Sequence, residues 1–214
     1  MFLIVSICVQ LTGSGIMARK NTERTGLIFP DILMKLKRGP QVILPKDAGM
    51  IIAISGIGKE SICVDAGAGS GWLAVTLGNI AKKVTTYEWR EEFAELAQKN
   101  INRAGLTNVE VKRKDVFTGI DEKEVDLVTL DLADSEKVVP FAHAALKSGG
   151  LVVGYLPHAE QVQQFVKACR EAGFAEDKIF TIECIVREYL VRDRGFRPEN
   201  TGLMHTAYLT FAKK

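Results

Sequence analysis

Residues 62–71 read ICVDAGAGSG, and this stretch decides the fold. A short apolar run ends in Asp65 and leads into Gly67, Ala68, Gly69, Ser70 and Gly71, after which an apolar helix starts near Trp72. The order is strand, tight glycine turn, helix N-terminus. Such a turn lets backbone approach a ligand closely and points unpaired N–H groups at it, which suits a nucleotide-like cofactor.

Outward from this turn, short elements alternate at regular spacing. A strand over 61–66 precedes the helix at 73–79, and a second strand at 84–88 precedes a helix over 90–104 with Phe93, Leu96, Ala97, Ile101 and Ala104 on one face. Gly105 ends that helix. A third strand at 109–111 leads to Asp115 and a fourth at 125–130 leads to Asp131; a helix over 135–146 then ends at Gly149 and Gly150. A fifth strand at 151–155 is followed by a helix over 159–172, whose stripe is Val162, Phe165, Val166 and Cys169. Alternation of this kind means parallel strands with crossover helices, hence a doubly wound α/β sheet. The C-terminal part breaks the rhythm. A long strand-like run at 178–191, a loop RDRGFRPENTG at 192–202 and a strand at 205–212 form an antiparallel hairpin at the sheet edge. Upstream, a short strand at 27–29 is stopped by Pro30, and RGPQVILPKD at 38–47 puts Pro45 in the first turn of a helix reaching about residue 54, with Gly56 and Gly58 beyond.

With 214 residues and 47% hydrophobic content, the chain can bury one substantial core. The expected organisation is an extension at 1–24, a short segment at 25–58 and a main domain at 59–214. A formal charge of +2 neither requires nor excludes a nucleic-acid partner. The four cysteines contain no Cys-x-x-Cys pair and the three histidines are far apart, so no metal-ligand spacing is present and no metal is expected. Cys63 and Cys184 fall in predicted strands and Cys169 on an apolar helix face, which reads as buried small hydrophobes in a reducing cytoplasm. The opening MFLIVSICVQL has no Lys or Arg before its apolar run and is too short to span a bilayer. It is read as a dispensable start, with Met17 as an alternative initiator, and no membrane partner is expected.

Trp72 occupies the third small position of the dinucleotide fingerprint, which argues against NAD or FAD. Three successive strands instead end in acids, Glu88, Asp115 and Asp131, where ligands of open α/β sheets sit. Singly, Asp65 could cap the glycine turn, Glu88 could be a solvated strand end and Asp115 an ordinary turn residue. Together they resemble the class I S-adenosylmethionine-dependent methyltransferases: VDAGAGSG is similar to that family's first motif, TTYEW to its ribose-binding acid, RKDVF to its adenine-contacting segment and VDLVTLDL to its strand-four motif. The resemblance implies a mostly parallel, seven-stranded Rossmann-like sheet with a C-terminal antiparallel hairpin. It also implies S-adenosyl-L-methionine as cofactor, held by Asp65, Gly67, Gly69, Ser70, Gly71, Glu88, Asp115, Val116 and Asp131, with Gln41 closing over the methionine end.

Segments outside these motifs resemble one subgroup, the tRNA 1-methyladenosine methyltransferases: RGPQVILPKDAG at 38–49, GGLVVGYLPHAEQV at 149–162 and RPENTGLMHTAYLTFAKK at 197–214. The chain departs from that subgroup in having Leu44 where Tyr is usual, Ala133, Asp134 and Ser135 where prolines and an aromatic are usual, and fewer than about forty residues before Arg38, short for the subgroup's N-terminal β-domain. An adenine ring nitrogen that attacks a sulfonium methyl builds positive charge on the base, and Asp131, accepting from the exocyclic amine, would stabilise that charge. Tyr155 either orients the base or is a core aromatic, and His205 either lines the same pocket or is structural. Arg187, Arg192, Arg194 and Arg197, interleaved with Tyr189 and Phe196, form a basic-aromatic stretch that suits RNA, or else a solvated hairpin face or subunit contact. The resemblance implies tRNA as partner, a homo-oligomer of four subunits and a cytoplasmic location. Two rival readings remain: a methyltransferase of a small molecule such as a corrin-ring precursor, and a non-catalytic RNA-binding partner subunit.

Overall fold

Residues 29–39, 41–193, 195–200 and 204–214 are described in the computed structural model of the protein. The extension at 1–24 with Cys8 and Met17, residues 27 and 28 of the expected first strand, and Arg194 lie outside them. The chain divides into two compact units. The larger holds Phe29–Val186 and Met204–Lys214, and the smaller contains the segment at 187–200.

In the larger unit, a one-turn helix α1 (Asp31–Met34) precedes α2 (Pro45–Ser55), which starts with Pro45 and ends at Gly56 as the sequence predicts. The alternating elements are β1 (Ile62–Ala66), α3 (Trp72–Gly78), β2 (Lys83–Tyr87), α4 (Glu91–Ala104), β3 (Val109–Lys112), β4 (Val125–Leu130), α5 (Val139–Ala145), β5 (Leu146–Leu156) and α6 (Ala159–Glu171). Then come β6 (Ile179–Glu183) and, at the C-terminus, β9 (Tyr208–Lys213). Seven strands form one sheet in the order β3-β2-β1-β4-β5-β9-β6. β1 to β5 run parallel, and β9 lies antiparallel between β5 and β6. The doubly wound sheet and its antiparallel edge are therefore as expected. Strand order reverses between β1 and β4, the switch point where such sheets bind ligands.

The central strands are buried along nearly their whole length because helices cover both faces. One core cluster joins Val64, Leu130, Val152 and Leu156 of the sheet to Phe165 and Cys169 of α6. Cys63 and Cys169 are buried, and burial pushes both thiols up to about 12, as befits small hydrophobes. Cys184 lies just past β6 and is only half-buried.

Three elements differ from expectation. The helix over 135–146 is a 3-10 turn (Ser135–Val138) followed by the shorter α5, because Pro140 lacks an N–H and fits only the first turn of a new helix. β5 begins five residues early, running through Gly149 and Gly150; a Cβ at Gly150 would stand 2.8 Å from the Val125 carbonyl oxygen, so strand pairing there needs glycine. On α4 the buried face is Ala94, Ala97, Asn100 and Ile101, with Phe93 and Leu96 at its margin. Asn100 is buried because its side chain donates to the carbonyls of Lys37 and Ser70 and accepts from the Lys37 N–H.

The expected strand at 178–191 is broken, since β6 ends at Glu183 and residues 184–188 are in no strand, and the expected loop at 192–202 is corrected as well. Tyr189–Arg192 (β7) and Gly195–Pro198 (β8) pair antiparallel as a separate hairpin. Tyr189 and Phe196 stack at 4.9 Å between ring centroids, and the Arg187 guanidinium stands over the Tyr189 ring. The pairing places Arg192 and Arg197 on the face opposite Tyr189, Val191 and Phe196. Basic and aromatic groups thus alternate by face. No helix among the described residues is long and apolar enough to cross a membrane.

Gly71 starts α3 at φ 77°, and a Cβ there would meet Ala97 of α4 at 3.1 Å. Gly71→Ala is expected to cost about 2–3 kcal/mol, roughly 1 from the positive φ and the remainder from overpacking. Urea denaturation checks this, and an added Ala97→Gly should not restore the loss, because the Ala97 Cα also lies 3.1 Å from that Cβ and glycine inside α4 carries its own cost of about 1 kcal/mol.

Candidate active site

The carboxyl ends of β1, β2 and β4 are stitched together at the glycine turn. The N–H groups of Gly67 and Ala68 both donate to the Tyr87 carbonyl at 3.1 Å, and the Asp131 N–H donates to the Ala66 carbonyl at 2.9 Å. Gly67 has φ 93°, and a Cβ on it would collide with the Asp131 carbonyl oxygen. No other residue fits between the two strand ends.

Two clefts open on this junction and share Gly67 and Asp131. The larger, about 250 Å³, runs past Glu88, Trp89, Asp115 and Val116. The smaller, about 30 Å³, is walled by Gln41, Asp65, Gly69, Ser70 and Trp72. Of the sequence-predicted cofactor residues, only Gly71 lines neither cleft; it acts one step away by letting α3 pack on α4.

The acids differ in how their oxygens are used. Asp65 is buried within β1 and accepts from the hydroxyls of Thr86 (2.7 Å) and Thr129 (2.8 Å) on the flanking strands, so it does not cap the turn. Burial pushes its carboxyl up against the opposing pull of those two bonds. Glu88, also buried, accepts from the Gly69 N–H at 3.1 Å, from the Arg90 N–H at 3.1 Å and from the Arg90 guanidinium at 3.0 and 3.3 Å. These four donors occupy the lone-pair sites of both oxygens. A ribose reaching Glu88 would therefore have to replace Arg90, whose guanidinium also lies over Phe93. Asp115 is exposed, and its carboxylate accepts from the Phe117 N–H at the start of a 3-10 turn that buries Val116.

Asp131 is the exception. Among the described residues its carboxylate has no hydrogen-bond partner, though it lines both clefts. Burial, with the Asp65 charge adding to it, pushes the carboxyl up to about 7. A second unpartnered group stands nearby: the Ser70 hydroxyl is buried without a hydrogen bond at the rim of the smaller cleft. The Thr85 hydroxyl, inside β2, is buried without a partner as well, but Ser70 and the half-buried Asp131 are the ones that line a cleft, where a polar ligand can meet them.

Tyr155 and His205 fall elsewhere. Tyr155 is half-buried at the end of β5 and lines neither cleft; its hydroxyl donates to Asp47 at 3.4 Å. Burial first and the Asp47 charge second push its phenol up, and Asp131 is near enough to add to the shift. His205 does not line the pocket. Its Nδ1 faces the Glu183 carboxylate and its Nε2 the Pro157 carbonyl at 3.0 Å, so both nitrogens donate when the ring is an imidazolium. The sequence reading missed Trp89, Lys114 and Phe117, which line the larger cleft, Trp89 being 65% exposed. Their position just after the acid of β2 and around the acid after β3 was the available clue. It also missed Asp47, a wholly buried acid in the first turn of α2. Among the described residues no group of acids, histidines or cysteines could hold a metal ion.

The family model described as "tRNA methyltransferase complex GCD14 subunit" matches residues 32–202. The chain belongs to this family. It is 40% identical to the tRNA (adenine(57)-N(1)/adenine(58)-N(1))-methyltransferase TrmI of Methanocaldococcus jannaschii, over 86% of this chain and 75% of that one. Its fold is similar to the tRNA (m1A58) methyltransferase TrmI of Aquifex aeolicus (TM-score 0.79, 31% identity, 86% of this chain and 74% of that one). It is similar too to a SAM-dependent O-methyltransferase of Thermotoga maritima (TM-score 0.81, 34% identity, 86% and 71% covered). Family membership thus agrees with the resemblance read from the motifs.

Two pH effects follow. The Asp131 carboxyl sits above its ordinary 3.8 at about 7, so the folded state binds that proton more tightly than the unfolded chain. Its destabilisation is absent at low pH, grows as pH rises through this window and is complete above it. Asp131→Asn should therefore stabilise the ligand-free protein at pH 8 by about 2–4 kcal/mol and leave it unchanged near pH 4, as measured by urea midpoints. His205 has the opposite sign. The Glu183 carboxylate raises it, so the stability it lends is present below its ordinary 6.5 and lost as pH rises through the raised value. His205→Ala should erase that alkaline loss in the same measurements.

Proposed function

We propose that this protein is an S-adenosyl-L-methionine-dependent methyltransferase that methylates the N1 of an adenosine in tRNA. The observation that carries the reading is the Asp131 carboxylate, half-buried and, among the described residues, unpartnered at the switch point of the sheet, where the two clefts meet. The names of the relatives from Methanocaldococcus and Aquifex favour tRNA adenine over a corrin precursor as acceptor.

The residues present fit the cofactor. The orphaned Ser70 hydroxyl suits its methionine end, with Gln41 lining the same smaller cleft, while the N–H groups of Gly67 and Gly69 are already bonded to the Tyr87 carbonyl and to Glu88. Asp115 and Val116 would hold the adenosyl end in the larger cleft together with Glu88 once a ribose replaces Arg90 there, and Asp65 ties β1 to the threonines of β2 and β4 beneath them. When bound, the cofactor supplies an electrophilic methyl group on a sulfonium.

Asp131 would accept a hydrogen bond from the exocyclic amine of the target adenine. This orients N1 and offsets the positive charge that grows on the ring. The ring nitrogen brings its own lone pair, so no residue has to remove a proton before the bond forms. Desolvation in the cleft strengthens the carboxylate's effect, and the rise of its pKa is the counterpart of that arrangement. Because N1 lies on the Watson–Crick edge, the adenosine must be unpaired or flipped out. Arg187, Arg192 and Arg197 of the hairpin would take phosphates, and Tyr189 and Phe196 would stack on bases. The reading includes a homo-oligomer acting in the cytoplasm.

Purified protein, labelled cofactor and unmodified tRNA should yield 1-methyladenosine by mass spectrometry of the digested RNA. No 1-methyladenosine on any tRNA would reject the acceptor. kcat/KM should rise with pH through about 7 as Asp131 ionises. Asp131→Ala should lose transfer by roughly a hundredfold or more while calorimetry shows cofactor binding retained. If binding collapses with transfer, Asp131 holds cofactor and not base.

A further inference from the structure

The four hydrogen bonds on Glu88 are of two kinds. Two come from the main chain, the Gly69 N–H to Oε2 and the Arg90 N–H to Oε1, both at 3.1 Å. These donors belong to the glycine turn and to the residue that opens α4, so the fold fixes both. The other two come from the Arg90 guanidinium, Nε to Oε1 at 3.0 Å and Nη2 to Oε2 at 3.3 Å. The Arg90 side chain is 44% exposed, whereas that of Glu88 is almost wholly buried. Half of the set is therefore built in, and half can move.

A guanidinium edge and the vicinal diol of a ribose share a pattern, since each offers two neighbouring donors to the two oxygens of one carboxylate. Arg90 lines the larger cleft and holds there the two places on Glu88 that a diol would need. The Phe93 ring, 4.1 Å from the guanidinium, adds to what keeps it in position. A carboxylate as buried as Glu88 is costly unless its lone pairs are met, and with no sugar in the cleft Arg90 meets them. We propose that Arg90 is a resident competitor for the ribose subsite, a group that the sugar displaces from Glu88 on entering and that returns as it leaves. The inference rests on the reading of the larger cleft as the adenosyl site.

Such an exchange has a direct consequence for affinity. A ribose gains two bonds to Glu88 only as Arg90 loses two, so Arg90 weakens the binding of the cofactor and of its spent form alike and favours their release. A sugar without hydroxyls leaves Arg90 in place. Its binding should not feel the side chain.

Calorimetry with S-adenosyl-L-homocysteine, the demethylated cofactor, and with its 2′,3′-dideoxy analogue tests this without tRNA or turnover. Arg90→Ala should bind S-adenosyl-L-homocysteine about tenfold more tightly than the parent protein does, and the dideoxy analogue within about twofold of the parent value. Removing both hydroxyls should thus cost the variant about tenfold more than it costs the parent. Unchanged or weaker binding of S-adenosyl-L-homocysteine by Arg90→Ala overturns the proposal, as does an equal gain for both ligands. A second measurement follows the Arg90 Nε–H by nitrogen NMR in the parent protein, assigned by its loss in Arg90→Ala. Its proton should be protected from water in the ligand-free protein and exchange freely once S-adenosyl-L-homocysteine saturates the site. If Arg90→Ala does not fold, this measurement decides, and a proton still protected in the saturated protein overturns the proposal. Failure of S-adenosyl-L-homocysteine to bind parent and variant alike rejects the cofactor reading and the exchange with it, whereas binding that ignores Arg90 rejects the exchange alone.

Discussion

The hydrogen bond from the Asp131 N–H to the Ala66 carbonyl, made across Gly67, is the constraint on which the rest of the site depends. It joins the carboxyl ends of β1 and β4, the two strands from which the sheet winds in opposite directions. Only a residue without a Cβ lets the two backbones approach so closely. The paired N–H groups of Gly67 and Ala68 on the Tyr87 carbonyl add β2 to the same junction. Three strand ends are thereby held in fixed relation by main-chain bonds, and the acids at or just beyond them inherit that relation.

What those acids do is set by the donors each one meets. Asp65 is answered by two threonines and Glu88 by backbone and Arg90. Asp47 is answered by Lys46, Thr206 and Tyr155. Each of these is a buried carboxylate made tolerable by hydrogen bonds, as buried charge must be. Asp131, half-buried beside them, meets no such donor among the described residues, and burial together with the Asp65 charge raises its pKa.

Much of this was legible in the sequence because it is local. The strand before the glycine turn, Pro45 at a helix start and acids at successive strand ends are patterns within a few residues, and the sheet follows from their alternation. Pro140 was equally legible as a break in the helix over 135–146. The hairpin at 189–198 was obscured because Gly195 and Pro198 read as loop residues, although both tolerate strand pairing at an edge. Asp47 was not legible at all. Its partners lie more than a hundred positions away at Tyr155 and Thr206, and in sequence it is one more acid in the first turn of a helix, where the helix dipole already accounts for it.

The same distinction separates binding from acceptor chemistry. Groups that would hold the cofactor sit on the short loops of one turn and its neighbours, so their order along the chain carries the information. Asp131, Tyr155 and Asp47 are placed by β4, β5 and α2, elements far apart in the chain, and the partners of each can be read only from the fold. Tyr155 illustrates this. Its hydroxyl donates to Asp47, an acid on α2 that lies 108 positions away in the chain. A contact of that span leaves no pattern within a few residues, so the carboxylate that Tyr155 meets can be found only in the folded chain.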